Sequence, residues 1–190
     1  LSYLYTNYYD GIRAAHFFLD YAKDGEEFLA LNRDTATVYN PDGSVYSKDK
    51  PRAYKRDVIN LQWQRAEARI AEAYYYAELS KMYGGVPIIS DDVTNPTMTP
   101  ATYDEVVEHI VKLIDDNKDK VNLDWRVALT PDADNAVADV NNWNFRDNIG
   151  RFDKTSALAI KARVLLYAAS PRNNPDNSVE KWKRAAEAAH

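Results

Sequence analysis

The 190-residue chain contains no cysteine, so it holds neither a disulfide framework nor a thiolate metal site, and its redox compartment is left open. It also lacks any apolar run near the roughly 20 residues that a membrane-spanning helix needs. A strong excess of one sign of charge is missing too. The 24 Lys and Arg are interspersed with 29 Asp and Glu for a net charge of -5, which argues against a nucleic-acid groove. No HExxH, no GxSxG and no phosphate-binding glycine loop occurs. His16, His109 and His190 are too scattered to suggest a metal site. Asp132 and Asp134 lack the glycine that a calcium loop requires. Asp91 with Asp92 and Asp115 with Asp116 are adjacent pairs; on a helix, neighbours point about 100° apart, not across the cleft that paired glycosidase carboxylates flank. They read as solvated surface. The expectation is a protein without catalytic residues, metal or cofactor.

What is present is 45% hydrophobic residues, enough for one globular domain with a substantial core. The most informative segment is Arg65 to Ile89, RAEARIAEAYYYAELSKMYGGVPII. Ala66, Ala68, Ile70, Ala71, Ala73, the Tyr74–Tyr75–Tyr76 triplet, Ala77, Leu79, Met82 and Tyr83 leave no wide polar face, so this helix needs neighbours on more than one side. Gly84 or Gly85 can close its last turn in the left-handed conformation, and Pro87 prevents it from resuming. The tyrosines read as packing between helices, their hydroxyls reaching water or a backbone carbonyl.

Four further helices are expected around it. One runs from near Tyr3 to Lys23, with Ile12, Ala15, Phe18, Leu19 and Ala22 at helical spacing and Gly25 following. The central helix begins near Arg56. Thr102 and Glu105 form a capping box for the next, whose stripe of Val106, Val107, Ile110, Leu113 and Ile114 marks a single-faced outer helix. Lys154 to Ser170 is apolar nearly all round and Pro171 helps to end it. Asn177 and Glu180 suggest a box for the last helix, with Val179, Trp182, Ala185, Ala186 and Ala189 on its buried side.

Between them lie long connections. Asn32 to Lys55 reads as loop with a tight turn at Asn40 to Gly43, Val86 to Ser90 as briefly extended before Asn95 to Pro100 turns the chain, and Lys120 to Phe152 as a second long loop. Such loops in a compact domain are usually functional or disordered. The chain starts and ends inside helical patterns, so it reads as part of a longer protein.

A shift of 91 residues superposes Ala66, Ala68, Ala71, Tyr76 and Ala77 on Ala157, Ala159, Ala162, Tyr167 and Ala168. Each copy precedes an amphipathic helix, which is the logic of stacked helix pairs. The reading is a single all-α domain over 1–190, with two tetratricopeptide-like units at about residues 56–120 and 153–190. Their spacing exceeds the roughly 34 residues of a tight array, so either insertions separate them or the repeat is an echo of two alanine-rich helices, the first being the favoured reading.

The Arg65 to Ile89 string and GRFDKTSALAIKARVLLYAAS, Gly150 to Ser170, resemble two signature helices of the SusD/RagB family of outer-membrane nutrient-binding lipoproteins. YYDGIRAAHFFLD, Tyr8 to Asp20, is similar to that family's early helix, with His16 where asparagine is common. TPATYDEVVEHIVKLIDD and WKRAAEAAH resemble the helices after the two signatures. The resemblance implies a SusD-like superhelix of helix pairs with irregular loop insertions. It further implies a non-catalytic, surface-exposed lipoprotein of the Bacteroidetes-type outer membrane. Such a protein captures oligosaccharide or polysaccharide, sometimes peptide, and passes it to a TonB-dependent, SusC-like transporter. Membrane attachment would come only through an N-terminal lipid anchor that this chain does not contain.

Family ligand contacts come largely from variable loops, so candidate residues are argued from chemistry. Sugar binding needs aromatic faces for the apolar side of a pyranose and amides or charges for its hydroxyls. Trp143 and Phe145 alternate with Asn141, Asn142, Asn144 and Arg146, and Trp125 lies earlier in the same connection. Tyr46, with Tyr39 and Tyr54, offers a second platform. Each of these aromatics could instead pin its loop onto the helical body. A peptide-gripping tetratricopeptide adaptor and a fragment of a helical-toroid glycosidase are the alternative functions.

Overall fold

A computed structural model describes residues 2–31, 49–121 and 150–190. Among them the chain is mostly helical, in the order α1 (Ser2–Tyr21), α2 (Gly25–Leu31), α3 (Asp49–Tyr83), β1 (Ile88–Ile89), β2 (Met98–Thr99), α4 (Tyr103–Asn117), α5 (Lys154–Ala169) and α6 (Val179–Ala189).

The 35-residue α3 is the axis of the fold. Its apolar residues point several ways, and α1, α2, α4 and α5 all pack on it. Ala66, Ile70, Ala73, Tyr76, Ala77 and Leu79 are buried there with Ile12 of α1 and Ala157 of α5. Gly11 lets α1 approach closely, since a Cβ there would lie 2.6 Å from the Tyr75 ring. The helix begins at Asp49, ahead of the expected start near Arg56, because Pro51 falls within the first turn, where a missing N–H costs nothing.

The double glycine ends α3 by a division of labour. Gly84 takes the left-handed conformation, with φ 80°. Gly85 instead lies against the next segment, where a Cβ would meet the Ala101 carbonyl oxygen at 2.5 Å. The chain then forms a short antiparallel ribbon with Ile88 opposite Thr99 and Ile89 opposite Met98. The Asp92 carboxylate holds the turn by accepting from Thr94 N, Thr94 Oγ1 and Asn95 N.

The capping box of α4 is present: Thr102 and Glu105 satisfy each other's backbone amides. Val106, Val107, Ile110 and Ile114 are buried against α3, while Glu108, Lys112 and Asp115 face water. α5 also has a box, from Asp153 and Ser156. It packs on α4 and pairs with α6. Arg163 to Glu78 and Lys161 to Asp115 tie it to α3 and α4 at 2.7 Å each.

Three expectations need correction. A further helix, α2, begins at Gly25 itself; it is held by Arg65, which donates to the Ala22 and Lys23 carbonyls and to Glu26. The Asn177 and Glu180 box does not form, because Asn177 sits at φ 51° and its side chain accepts from the Trp182 indole, leaving Ser178 as the cap. The inward side of α6 is also different: Val179 is 78% and Trp182 42% exposed, and Ala185 is buried. Lys181 and Arg184 reach Asp104 and Glu108 of α4, which turns the Lys181, Arg184, Ala185 and Ala188 stripe toward the core.

Two of the four superposed alanine pairs are buried in both helices. Ala66 and Ala157 are buried in equivalent places, as are Ala77 and Ala168, but Tyr76 is fully buried whereas Tyr167 is exposed. α5 correspondingly leaves Leu158 and Leu166 in solvent instead of burying all faces.

Candidate functional site

Four separate segments bring titratable groups to one point beside α3. Arg69 and Glu72 lie three residues apart on a shared face of that helix. His16 comes from α1, His109 from α4, and Asp91 from the turn after β1. Glu72 is 1% exposed and His16 3% exposed. His16 Nε2 lies 3.0 Å and His109 Nε2 3.5 Å from Glu72 Oε1. Arg69 donates to Glu72 Oε2 at 2.9 Å and forms a two-pronged pair with Asp91, 2.7 Å to Oδ1 and 2.9 Å to Oδ2.

An isolated carboxylate in this position would be expensive to bury. Burial pushes the Glu72 carboxyl up, but the neighbouring His109 and His16 imidazoles and the Arg69 charge more than offset it and hold the carboxyl at about 2. The histidines that look scattered in the sequence are therefore neighbours in the fold. His190, at the exposed end of α6, stands apart from them.

A second feature is an open cleft of about 240 Å³ where the C-terminal ends of α3 and α5 meet the start of α4. Tyr103 and Tyr167 contribute rings, and Lys81, Arg172, Asn173 and Ser170 contribute hydrogen-bonding groups. Asn173 Nδ2 donates to the Tyr167 carbonyl at 3.0 Å, and Lys181 holds the Asn173 carbonyl at 2.9 Å while pairing with Asp104. Burial, then the nearby Asp104, raises the Tyr103 phenol above its ordinary range. It stays a neutral donor and acceptor. Ring faces beside amide, hydroxyl and cationic donors form the set that a sugar uses. The helix-end aromatic Tyr167 followed by Pro171, Arg172 and Asn173 was the available sequence signal for this cleft.

The loop candidates Trp143, Asn141, Asn144, Arg146, Trp125 and Tyr46, together with the turn at Asn40 to Gly43, lie outside the described residues.

The sequence matches, over residues 2–141, the model of a SusD-like family described as starch-binding and associating with the outer membrane. That span covers most of the chain and includes α1 to α4. The chain belongs to the SusD-like family. No curated protein and no solved structure matches it. The SusD-like chain has the all-α architecture that the signature helices imply. Members of this family generally bind and do not catalyse, and membership associates the chain with starch or glycan binding at the outer membrane. No helix among its described residues is long and apolar enough to cross a membrane.

Proposed function

We propose that this SusD-like chain is a non-catalytic, surface-exposed glycan-capture protein that delivers oligosaccharide to a TonB-dependent, SusC-like outer-membrane transporter. The observation that carries the reading is the family match across α1 to α4, on a fold whose helix pairs, α3 with α4 and α5 with α6, pack side by side. These pairs are the proposed tetratricopeptide-like units of about 56–120 and 153–190. Lipid anchoring and a Bacteroidetes-type source belong to the same proposal.

Ligand contacts are assigned to the aromatic and amide segment with Trp143, Asn141, Asn144 and Arg146, assisted by Trp125 and Tyr46. The Tyr103 and Tyr167 cleft is a second surface of suitable chemistry. Binding without turnover is supported by the adjacent acidic pairs. Asp91 is tied to Arg69, Asp92 to its own turn, Asp115 to Lys161 and Asp116 to Lys112, so they serve structure and not an opposed acid and base.

Affinity electrophoresis of the full chain through gels containing starch and other polysaccharides tests the reading, alongside an assay for released sugar. Retardation without sugar release is expected. Release of shortened oligosaccharide would replace capture by hydrolysis, and failure of a SusC-like transporter to co-purify with the protein in its native membrane would remove the delivery step.

A further inference from the structure

We propose that His16, Glu72 and Asp91 form a binding site for one divalent transition-metal cation of the zinc class. Nothing in the glycan-capture reading requires such a site, and the inference stands apart from it.

The donor atoms lie close to the spacing of ligands of one ion. Zinc bonds to imidazole nitrogen and carboxylate oxygen are about 2.0–2.2 Å long, which puts neighbouring ligands of a tetrahedron roughly 3.3–3.6 Å apart. Here His16 Nε2 lies 3.0 Å from Glu72 Oε1 and 3.4 Å from Asp91 Oδ1. All three donors fall within 4.8 Å of one another.

His16 Nε2 supplies the second, independent observation. It is buried and has no hydrogen-bond partner among the described residues, despite its closeness to Glu72. A buried ring nitrogen without a partner is unfavourable, and a cation between the imidazole and the two carboxylates would satisfy it. One imidazole with two carboxylates suits first-row divalent ions.

Arg69 occupies the position of an outer-shell support. It donates to Glu72 Oε2 at 2.9 Å and to both Asp91 oxygens, 2.7 Å to Oδ1 and 2.9 Å to Oδ2. Glu72 Oε1 is thereby left facing His16, and both carboxylates are oriented before an ion arrives, as second shells of metal sites commonly do. The two carboxylates outnumber the one guanidinium, which favours a cation. Asp91 is largely exposed and gives the ion a path from solvent and room for a water ligand. His109 Nε2, also lacking a hydrogen-bond partner among the described residues, lies 3.5 Å from the same Glu72 Oε1. A bound ion would join α1, α3 and the turn after β1 through one residue from each, and would stabilise the native state by mass action.

The test is a Co²⁺ titration of the untagged full chain, followed by visible ligand-field absorption and by displacement with Zn²⁺. The chain has no cysteine and three histidines, which keeps background binding low. One equivalent should bind, and Zn²⁺ should raise the melting temperature. His16→Ala and Asp91→Asn should each weaken binding about tenfold or more, while His190→Ala leaves it unchanged. Asp91 is exposed, so its variant retains the fold, as circular dichroism would verify. Absence of binding at one equivalent, or equal affinity in the folded Asp91→Asn variant, would overturn the proposal.

Discussion

Tyr76, fully buried on α3, accepts the backbone N–H of Ile89 through its phenol oxygen at 2.9 Å. The helix thus clamps the strand that follows its own glycine stop. Tyr9 of α1 clamps the same segment by donating to the Pro87 carbonyl at 2.6 Å. The last tyrosine of the triplet is therefore a structural anchor with a backbone partner, and burial raises its phenol well above the ordinary range. Tyr76→Phe keeps the ring but strands the Ile89 amide, and should cost about 1–3 kcal/mol in urea denaturation. An unchanged midpoint would show that water replaces the bond freely.

The two glycines after α3 should respond differently to substitution. Gly84→Asn should be tolerated within about 1 kcal/mol, because asparagine accepts the left-handed conformation and nothing lies within 4 Å of the added carbon. Gly85→Ala forces a carbon against the Ala101 carbonyl and should cost more, about 1–3 kcal/mol. Equal losses in the two variants would contradict this assignment of roles.

Acid sensitivity should trace to Glu72. Its folded pKa of about 2 lies below the ordinary 4.5, so the ionised carboxylate stabilises the native state fully above about pH 4.5. That contribution declines as pH falls toward 2. Denaturation midpoints measured between pH 5 and about 2 should therefore drop less steeply in Glu72→Gln than in the parent chain. Parallel curves would place the acid-sensitive group elsewhere.

Helices were legible wherever a cap or a periodic stripe marked them, as at Thr102 with Glu105 and along Lys154 to Ala169. α2 was not, because Gly25 looks like a stop when only local signals are read; the segment is helical through Arg65, a tertiary partner from α3. The start of α3 was hidden by Pro51, which reads as a breaker yet is harmless in a first turn. The inward face of α6 was misassigned because apolar residues alone defined it, whereas Lys181 and Arg184 set its rotation by reaching α4. The Glu72 cluster draws five residues from four segments, so no motif announces it. The aromatic loop candidates were legible as chemistry, from rings alternating with amides.

Trp143→Ala should weaken retardation in a glycan-containing gel severalfold without changing thermal stability, since a ring that stacks on sugar contributes little to the folded core. A loss of melting temperature with undiminished binding would identify Trp143 as a packing residue. Tyr167→Ala, exposed at the cleft, should leave stability nearly unchanged and would report whether that surface also touches glycan.

Isothermal titration of the full chain with maltooligosaccharides, followed by chromatography of the recovered sugar, decides whether this SusD-like chain captures glycan without cleaving it. Saturable binding with the sugar recovered intact is the predicted result. Recovery of shortened products, or no binding to these or to a wider panel of glycans, would contradict it.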